Sequence, residues 1–421
     1  MTAQWGILHR GNYFVDPSIL FLRSEMKNLL RHLSIGFAPG HGEQFVDFSR
    51  LSDGQQSILY LSIVLGMQNL GARVLSGELA DAFDVDKLRP AIFTLIAVEE
   101  PENSLSPHYL GRVVRALEDF AQEQDAQALL ATHSPSLMRR VAPENIRYMR
   151  LSEGRETDVK RIELPDDEEA LKFVREGVQA FPELYFSRFV VLGEGDSEEV
   201  VLPRLLAAKG LLADDVSISV VPLGGRHVNH FWRLLHGLGI PHVTLLDLDL
   251  ARHQGGWGRI KYAATQLLAY SDVAQVGLKE AQVKSIPKWN ADQGLMVDDD
   301  GWLSWLEGHG VFYSSPLDLD FLMMTAYPTA YDLDEDELED PDEDALKAVL
   351  GKKHDVVENQ YTDAQLEHFD AYNSRFKLSS KPAWHIQAMA NLSDRELLDG
   401  MPEVLGRLLE RIGKDLKALP E

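Results

Sequence analysis

Cysteine is absent from all 421 residues of the sequence. Its absence excludes disulfides, thiolate nucleophiles, cysteine-bound zinc and iron–sulfur clusters, and it is typical of a reducing compartment. Long apolar runs are missing as well. None approaches the roughly 18–20 residues that a membrane-spanning helix needs, and residues 1–10 do not have the pattern of a secretion signal. The sequence therefore predicts a cytoplasmic protein that has no membrane partner.

Positive charge is scarce too. Lys and Arg number 41 against 66 Asp and Glu, which gives a formal net charge of −25. This balance excludes a DNA-binding surface that covers the whole protein, so contact with nucleic acid is expected to be local or bridged by metal ions. Ten of the acids fall within the 13 residues 332–344, a block whose self-repulsion predicts a solvated loop.

Hydrophobic residues make up 45% of the chain and charged residues 25%, a composition typical of folded globular domains. At the usual ~100–200 residues per domain, this length predicts two or three domains. Apolar strands alternate with helices in residues 1–150 and again in 186–260, which indicates parallel α/β units. We predict a connector at 151–185 and a mostly helical remainder at 261–421, with an amphipathic helix at Pro402–Leu416.

A first group of polar residues begins with the segment Leu51-Ser52-Asp53-Gly54-Gln55, which opens an apolar helix predicted at Ser57–Met67. Ser52 can cap this helix, and the backbone N–H groups at its start, near Gly54, can bind an anion. By itself this segment indicates only a capped helix.

Two predicted strands that follow end in further polar residues. The apolar strand Ile92–Val98 leads into Glu99 and Glu100, and the strand Ala128–Ala131 leads into Thr132 and His133. Acidic side chains at the end of a buried strand cost folding free energy unless a cation or water contacts them. In nucleotide hydrolysis, the first of two such acids holds Mg²⁺ and the second polarises the attacking water. A histidine beside them is suited to sensing the terminal phosphate.

A second group consists of carboxylates, and its first members follow the predicted strand Phe189–Leu192. Gly195 is expected to form a tight turn from this strand into a helix. Glu194 would then lie at the strand end and Glu198 on the first helical turn, so that both carboxylates converge.

The other members follow the predicted strand His242–Leu246, which leads into Asp247-Leu248-Asp249. Alternate residues of a strand share a face, so we expect Asp247 and Asp249 to point together. Carboxylates gathered where parallel strands end would repel one another strongly unless hard cations such as Mg²⁺ or Mn²⁺ bind there.

The first group resembles the ABC-type ATPases of the SMC-like branch, with LSDGQ as the signature and EEPE as the Walker B motif. The resemblance implies ATP as a cofactor, His133 as the switch histidine, and a homodimer in which the signature of one subunit completes the site of the other. The implied ATP-binding residues are Ser52, Gly54, Gln55, Glu99, Glu100 and His133.

The phosphate-binding loop of those ATPases, G-x-x-x-x-G-K-[ST], is missing from residues 1–50. We therefore expect the chain to begin partway through the ATPase domain and to bind ATP poorly by itself. Three explanations stay open: a separate polypeptide supplies the first half, the chain is truncated, or the ATPase domain has become structural.

The second group resembles the Toprim domain, in which E-G-x-x-E, a Gly-Gly step and D-x-D follow three strands. An ABC-type ATPase followed directly by Toprim is the arrangement of the OLD (overcoming lysogenization defect) family. The resemblance implies an α/β fold with helical C-terminal elements. Its expected parts are a partial ATPase domain (1–150), a connector (151–185), a Toprim nuclease domain with a parallel sheet flanked by helices (186–395) and a C-terminal helix (396–421).

The OLD resemblance also implies a DNA endonuclease that uses two Mg²⁺ or Mn²⁺ ions, in phage defence, DNA repair or replication. A later acidic ligand of that family matches Asp320, or Asp318, and its late lysine matches Lys381. The implied metal ligands are Glu194, Glu198, Asp247, Asp249, Asp318 and Asp320.

Three further roles concern the DNA phosphate. Glu194 would also act as general base, and Lys381 would neutralise charge that develops on the phosphate. Arg226, beside the Gly224-Gly225 pair, either contacts a DNA phosphate or forms a surface salt bridge.

A non-cleaving SMC-like subunit that clamps or senses DNA, with Toprim as a scaffold, is the competing interpretation. Loss of Asp247 or Asp249 would favour it, but both are present. The missing phosphate-binding loop keeps it open for the ATPase half. A type IA topoisomerase is excluded because the chain has no room for the additional domains, and a zinc-bearing primase because cysteine is absent.

Overall fold

A computed structural model describes residues 2–9, 17–21, 33–38, 46–79, 81–83, 91–152, 154–163, 168–224, 228–270, 280–286, 301–334, 338–354 and 360–419. The chain divides into two compact units, Met1–Ala142 and Pro143–Glu421. Each unit buries apolar residues of its own.

The first unit packs helices against short sheets. Its strands are β1 (Pro17–Phe21), β2 (Leu33–Phe37) and β3 (Val46–Asp47), which form an antiparallel sheet, and β4 (Thr94–Glu99) and β5 (Ala126–Ala131), which pair in parallel. Its helices are α1 (Thr2–Leu8), α2 (Asp53–Leu75), α3 (Pro107–Ala121) and α4 (Pro135–Met138).

Helix α2 belongs to the core of this unit, where Ile58, Leu59 and Leu65 are buried in one apolar cluster with Trp5 of α1 and Leu117 of α3. Among the described residues, α2 is also the one helix long and apolar enough to cross a membrane, judged by length and composition alone. A single helix of this kind is weak evidence for a membrane span, and packing against α1 and α3 accounts for its buried apolar residues.

The second unit begins with an antiparallel hairpin of β6 (Arg147–Leu151) and β7 (Thr157–Arg161) and is built around a four-stranded parallel sheet. The strands of the sheet are β8 (Phe189–Gly193), β9 (Ile218–Pro222), β10 (His242–Asp247) and β11 (Val311–Ser314), in the order β11-β10-β8-β9. All residues of β8 and β11 are buried, as is typical of parallel strands covered on both faces. Because the strands run parallel, their carboxyl ends meet at one edge.

Helices form most of the rest of the second unit. They are α5 (Glu168–Ala180), α6 (Asp196–Ala208), α7 (Ala213–Val216), α8 (Val228–Leu238), α9 (Trp257–Tyr270), α10 (Glu280–Ser285), α11 (Trp302–Gly308), α12 (Leu319–Ala326), α13 (Glu343–Leu350), α14 (Asp363–Leu366), α15 (Phe369–Tyr372), α16 (Lys381–Asn391), α17 (Asp394–Asp399) and α18 (Glu403–Ala418). Single turns include a 3₁₀ helix at Pro328–Tyr331 and a π-helical turn at Asn373–Lys377.

The predicted α/β class and the alternation of strands with helices are confirmed. Strand β11 was not predicted, because four apolar or small residues in a helix-rich stretch are too short to show a period. The acidic block 332–344 was predicted to be a loop. Its residues 335–337 lie outside the described residues, but its last part forms a helix start: Asp342 caps α13, and Glu343 and Asp344 form the first turn, where negative charge is favourable.

The turn from β8 into α6 depends on Gly193 rather than on the expected Gly195. A Cβ atom at Gly193 would lie 2.3 Å from the Cβ of Glu198, so a side chain there would displace Glu198 from the strand end. Gly195 has extended backbone with φ −148°, and a Cβ there would meet nothing closer than 3.8 Å. The glycine requirement therefore comes from close approach of Glu198, not from an unusual backbone angle.

Gly193→Ala is expected to destabilise the second unit by about 1–3 kcal/mol, because the new methyl group must push Glu198 and α6 away from the sheet. Thermal unfolding of the full chain measures this loss. Gly195→Ala is the matched control and should change the melting temperature much less. Equal melting temperatures for the two variants would contradict this account of the turn.

Candidate functional site

A cavity of about 340 Å³ opens at the carboxyl edge of the parallel sheet. The β8–α6 turn, the end of β10, the start of α12 and the start of α16 surround it. Its lining residues are Glu194, Gly195, Asp196, Ser197, Glu198, Asp247, Asp318, Leu319, Asp320, Ser380, Lys381 and Pro382. The structure thus brings together all but one of the predicted metal-binding acids around one space, together with the predicted lysine.

Apart from the exposed Asp196, Glu198 and Asp247 are the acids of this cavity that have no cationic partner among the described residues. Glu198 accepts a hydrogen bond from the Gly195 backbone N–H at 2.8 Å, and Asp247 accepts one from the Leu319 N–H at 3.3 Å. Burial, together with the nearby charges of Asp320 and Glu194, raises the pKa of Glu198 to about 8. Burial also raises the pKa of Asp247 well above its ordinary value, with the charge of Glu194 as the next cause.

Glu194 links the two strand ends on which the site is built. Its Oε2 accepts a hydrogen bond from the Asp247 backbone N–H at 2.9 Å, and its Oε1 lies 3.0 Å from an Nη atom of Arg259. The Glu194 carboxylate therefore links the ends of β8 and β10 and also pairs with Arg259.

Asp249 does not share a face with Asp247, so this expectation is wrong. Strand β10 ends at Asp247, and Asp249 has a left-handed backbone with φ +54°. Its two carboxylate oxygens pair with Arg252 and Arg259 instead of lining the cavity. The turn requires glycine at position 255, because a Cβ atom there would lie 1.8 Å from the Asp249 carbonyl oxygen.

Asp318 and Asp320 both line the cavity, but their surroundings differ. Asp318 caps α12 by accepting from the Phe321 N–H at 3.0 Å, and it also accepts from the Tyr372 hydroxyl and pairs with Arg252. Burial raises the pKa of Asp318, and the charge of Asp320 raises it further.

Burial also opposes ionisation of Asp320, but its partners outweigh this effect. The hydrogen bond from His385 and the positive charge of Lys381 hold the pKa of Asp320 below its ordinary value. The side chain of Asp320 is only 3% exposed, so it is a buried carboxylate surrounded by donors.

Lys381 lies where the sequence predicts it, at the rim of the cavity, and pairs with Asp320. Burial lowers the pKa of Lys381, but the charges of Asp320 and Asp318 outweigh that effect and raise it. His385 is one helical turn further along α16 and was missed, although its four-residue spacing from Lys381 places both on one helix face.

Arg252, Arg259 and Tyr372 were missed as well. Their sequence surroundings carry no recognisable motif, and their partners are far away in the chain. Arg226, predicted as a phosphate contact, lies outside the described residues.

In the first unit, the signature segment forms the capped helix start that the sequence predicts. Ser52 and Gln55 form a reciprocal capping box at the start of α2. A Cβ atom at Gly54 would lie 2.3 Å from the Ser104 carbonyl oxygen, so only glycine fits there without displacement.

The predicted acids and histidine come together at the ends of β4 and β5. Glu99 is the last residue of β4, and Glu100 follows it in a left-handed conformation with φ +43°. The Glu100 carboxylate lies 3.4 Å from Nε2 of His133. Glu102, which the sequence did not single out, joins the two strand ends by accepting from the Thr132 hydroxyl at 2.6 Å and the His133 N–H at 3.0 Å.

The donor set around the cavity has the chemistry that Mg²⁺ and Mn²⁺ require. The lining acids offer carboxylate oxygens, and the buried Glu198 and the half-buried Asp247 have no side-chain counter-charge, an arrangement that costs free energy unless a proton or a cation compensates it. Within the described part of the chain, no three such side chains already lie at metal-binding separation. Ion binding would therefore require these carboxylates to draw together.

Two family models match this chain. Residues 185–249 match the Toprim domain of proteins like the overcoming lysogenization defect protein. Residues 11–139 match an AAA domain described as a putative AbiEii toxin of a type IV toxin–antitoxin system.

Two curated relatives are named Endonuclease GajA. The one from Bacillus cereus strain VD045 is 29% identical over 162 residues, which cover 38% of this chain and 27% of the relative. The one from strain HuB5-5 is 25% identical over 231 residues, covering 48% of this chain and 32% of the relative. The match thus spans about a third or less of either relative. Among solved structures, the C-terminal region of an OLD protein from Xanthomonas campestris pv. campestris is 19% identical, with a TM-score of 0.33, over 55% of this chain and 98% of that chain.

Glu198→Gln is expected to stabilise the metal-free protein above pH 5 and to have little effect below it. The pKa of Glu198 is about 8 in the folded state against an ordinary value of 4.5. The folded state therefore binds the proton more tightly, and stability is lost as the pH rises between these values. At pH 8 in EDTA we expect a gain of roughly 1–3 kcal/mol, read as a higher melting temperature.

Glu199→Gln, on the exposed side of the same helix, is the control for this measurement. Its melting temperature should follow that of the unmodified protein at both pH 5 and pH 8. A Glu198→Gln variant that shows no pH-dependent difference from the unmodified protein would contradict the assignment of an uncompensated buried carboxyl group.

Proposed function

Because the chain belongs to the OLD family, whose members join an ATPase domain to a Toprim domain, we propose that it is a divalent-metal-dependent endonuclease that cleaves DNA. The observation that carries the proposal is a pair of carboxylates without a cationic partner at the carboxyl edge of the Toprim sheet, the buried Glu198 and the half-buried Asp247. The name of the GajA relatives supports the same activity.

Two Mg²⁺ or Mn²⁺ ions, when bound, would supply Lewis acidity and a water of lowered pKa. Glu198, Asp247 and Glu194 are the first residues proposed to hold them, because Glu198 and Asp247 each keep an oxygen without a described partner. Asp249 and Asp318 follow in this proposal, since they must first give up contacts with Arg252, Arg259 or Tyr372, and Asp320 is proposed as a ligand that keeps its contact with Lys381.

The protein's own groups then divide the work on the phosphodiester. Glu194 reaches the cavity with a partly exposed carboxylate that can accept a proton from water. Lys381 is 41% exposed and carries three N–H donors, so it can keep its contact with Asp320 and still donate to a phosphate oxygen. Its positive charge would stabilise charge that develops during cleavage.

We assign the first unit the role of a nucleotide-dependent module that acts as a homodimer on DNA. In this proposal Ser52, Gly54 and Gln55 form the signature side of a shared ATP site, and Glu99, Glu100 and His133 form the hydrolytic side. The contact of Glu100 with His133 supports the second half of the assignment. No G-x-x-x-x-G-K-[ST] loop occurs in the sequence, so hydrolysis would need that loop from another segment or polypeptide.

The test compares two variants in the nicking of supercoiled plasmid with Mg²⁺ or Mn²⁺. Asp247→Asn removes a proposed metal ligand and should lower the cleavage rate by at least about 100-fold. Glu100→Gln changes the ATPase module and should leave metal-dependent nicking within a few-fold of the unmodified protein.

A readout that does not depend on cleavage accompanies this test. Mn²⁺ should raise the melting temperature of the unmodified protein and of Glu100→Gln, but not of Asp247→Asn. Undiminished cleavage by Asp247→Asn would sink the proposed site. DNA binding without cleavage by the unmodified protein would favour the non-cleaving clamp instead.

A further inference from the structure

A chain of buried polar side chains runs from the 3₁₀ turn at Pro328–Tyr331 to Lys381. The Tyr331 hydroxyl lies 2.6 Å from Nδ1 of His385, and Nε2 of His385 lies 2.9 Å from Oδ1 of Asp320. Oδ2 of Asp320 in turn pairs with the ammonium group of Lys381. Tyr331 and His385 are both fully buried, so water does not offer these two side chains alternative partners.

The direction of each hydrogen bond follows from the donors around Asp320. Its Oδ1 also accepts from the Ser197 hydroxyl at 2.5 Å, and its Oδ2 faces an ammonium group. A carboxylate that receives these donors is an acceptor toward His385 as well, so Nε2 of His385 carries a proton. On the neutral ring Nδ1 then accepts a hydrogen bond from the phenol.

Aromatic packing holds the imidazole in this position. The ring of Phe376 lies 5.3 Å from the ring of His385 at an angle of 31°, and the ring of Tyr331 lies 5.6 Å away in an edge-on arrangement. The backbone carbonyl of Tyr331 accepts from Arg375 at 2.8 Å, which anchors the turn that carries the phenol. A polar chain inside such a shell is costly unless every member is satisfied, so its geometry is narrowly defined.

The consequence of this geometry falls on Lys381. Two donors occupy Oδ1 of Asp320, and the second oxygen is thereby turned toward the lysine at the cavity rim. Lys381 is the first residue of α16, where the helix dipole disfavours positive charge. An oriented Asp320 is therefore what holds the ammonium group at this position.

We propose that Tyr331 and His385 are positioning residues that act through Asp320 to aim the ammonium group of Lys381 into the cavity. They touch neither the cavity nor a substrate within it. The inference rests on the proposed function insofar as Lys381 serves phosphodiester cleavage, but the positioning itself is a property of the protein without DNA.

Tyr331→Phe is the variant of choice, because it removes one hydroxyl and keeps the aromatic packing. Its kcat for nicking in Mn²⁺ should fall by about 10-fold, which is the lower end of the loss expected when a residue that supports a site residue is removed. The KM for DNA should stay within about twofold. Tyr327→Phe is the matched control. Tyr327 is also buried, but its hydroxyl donates to the Leu397 carbonyl at 2.6 Å, away from His385.

His385 is tested by a pair of substitutions. His385→Gln keeps an N–H group that can donate to Asp320, whereas His385→Leu removes it. We expect His385→Gln to recover a large part of the kcat that His385→Leu loses. A residue that only filled space would give the reverse order, since leucine matches the apolar shell better.

The position of Lys381 is measured separately on the metal-free full chain, without DNA. Acetylation of individual lysines by an amine-reactive reagent is followed by mass spectrometry. Release from Asp320 should make Lys381 react at least about threefold faster in Tyr331→Phe than in Tyr327→Phe. Lys261, which donates to the Ile286 carbonyl in the same unit, is the internal reference and should not change.

The two readouts separate the possible failures. If no form of the protein cleaves DNA, the proposed function fails while Lys381 labelling still decides the positioning role. If Tyr331→Phe matches Tyr327→Phe in both kcat and Lys381 labelling, the positioning role is overturned whatever the activity. A fall in kcat with unchanged Lys381 labelling also overturns it, because the effect would then bypass the lysine.

Discussion

Carboxylates gather at the carboxyl edge of the parallel sheet, and among the described residues their charge exceeds that of the cations paired with them. Arg252, Arg259 and Lys381 pair with Asp249, Asp318, Asp320 and Glu194. Glu198, on the first turn of α6, and Asp247, at the end of β10, receive only backbone donors. Leaving a buried and a half-buried acid without counter-charge costs folding free energy. A fold that keeps such an arrangement is suited to bind a divalent cation there.

The acids of the site have two sets of partners, the arginines and the Tyr331–His385 pair. Arg259 pairs with Glu194 and Asp249, Arg252 also pairs with Asp249, and the Tyr331–His385 pair fixes Asp320 from inside the protein. Lys381 pairs with the buried carboxylate of Asp320 and is itself partly exposed to the cavity. The strongly negative net charge thus reflects a local requirement at the site as well as the acidic block at 332–344. It does not argue against a phosphate-bearing substrate.

Much of this could be predicted from sequence because local signals carried it. The apolar runs of β8, β9 and β10 predict buried strands, and acids directly after such strands reach the same sheet edge in any parallel arrangement. Predictions failed where a contact between distant segments decided the outcome. Asp249 lies beyond the end of β10, in a turn in which Gly255 approaches its backbone carbonyl and two arginines pair with its carboxylate oxygens. Strand β11 forms because it pairs with β10, and a four-residue segment is too short to predict that pairing from its sequence.

The sequence by itself determined the placement of Glu194 and Asp247 at strand ends and of Glu198 on the first turn of the following helix, since each follows from a local pattern. The order of the two units and the choice of Lys381 came from its resemblance to the OLD family. Only the tertiary structure decided which acids have a cationic partner and which have none among the described residues. The partners concerned are separated by 65 residues for Arg259 with Glu194 and for His385 with Asp320. Pairing energies of this kind depend on distance and burial in three dimensions, and neither quantity is written in the spacing of residues along the chain.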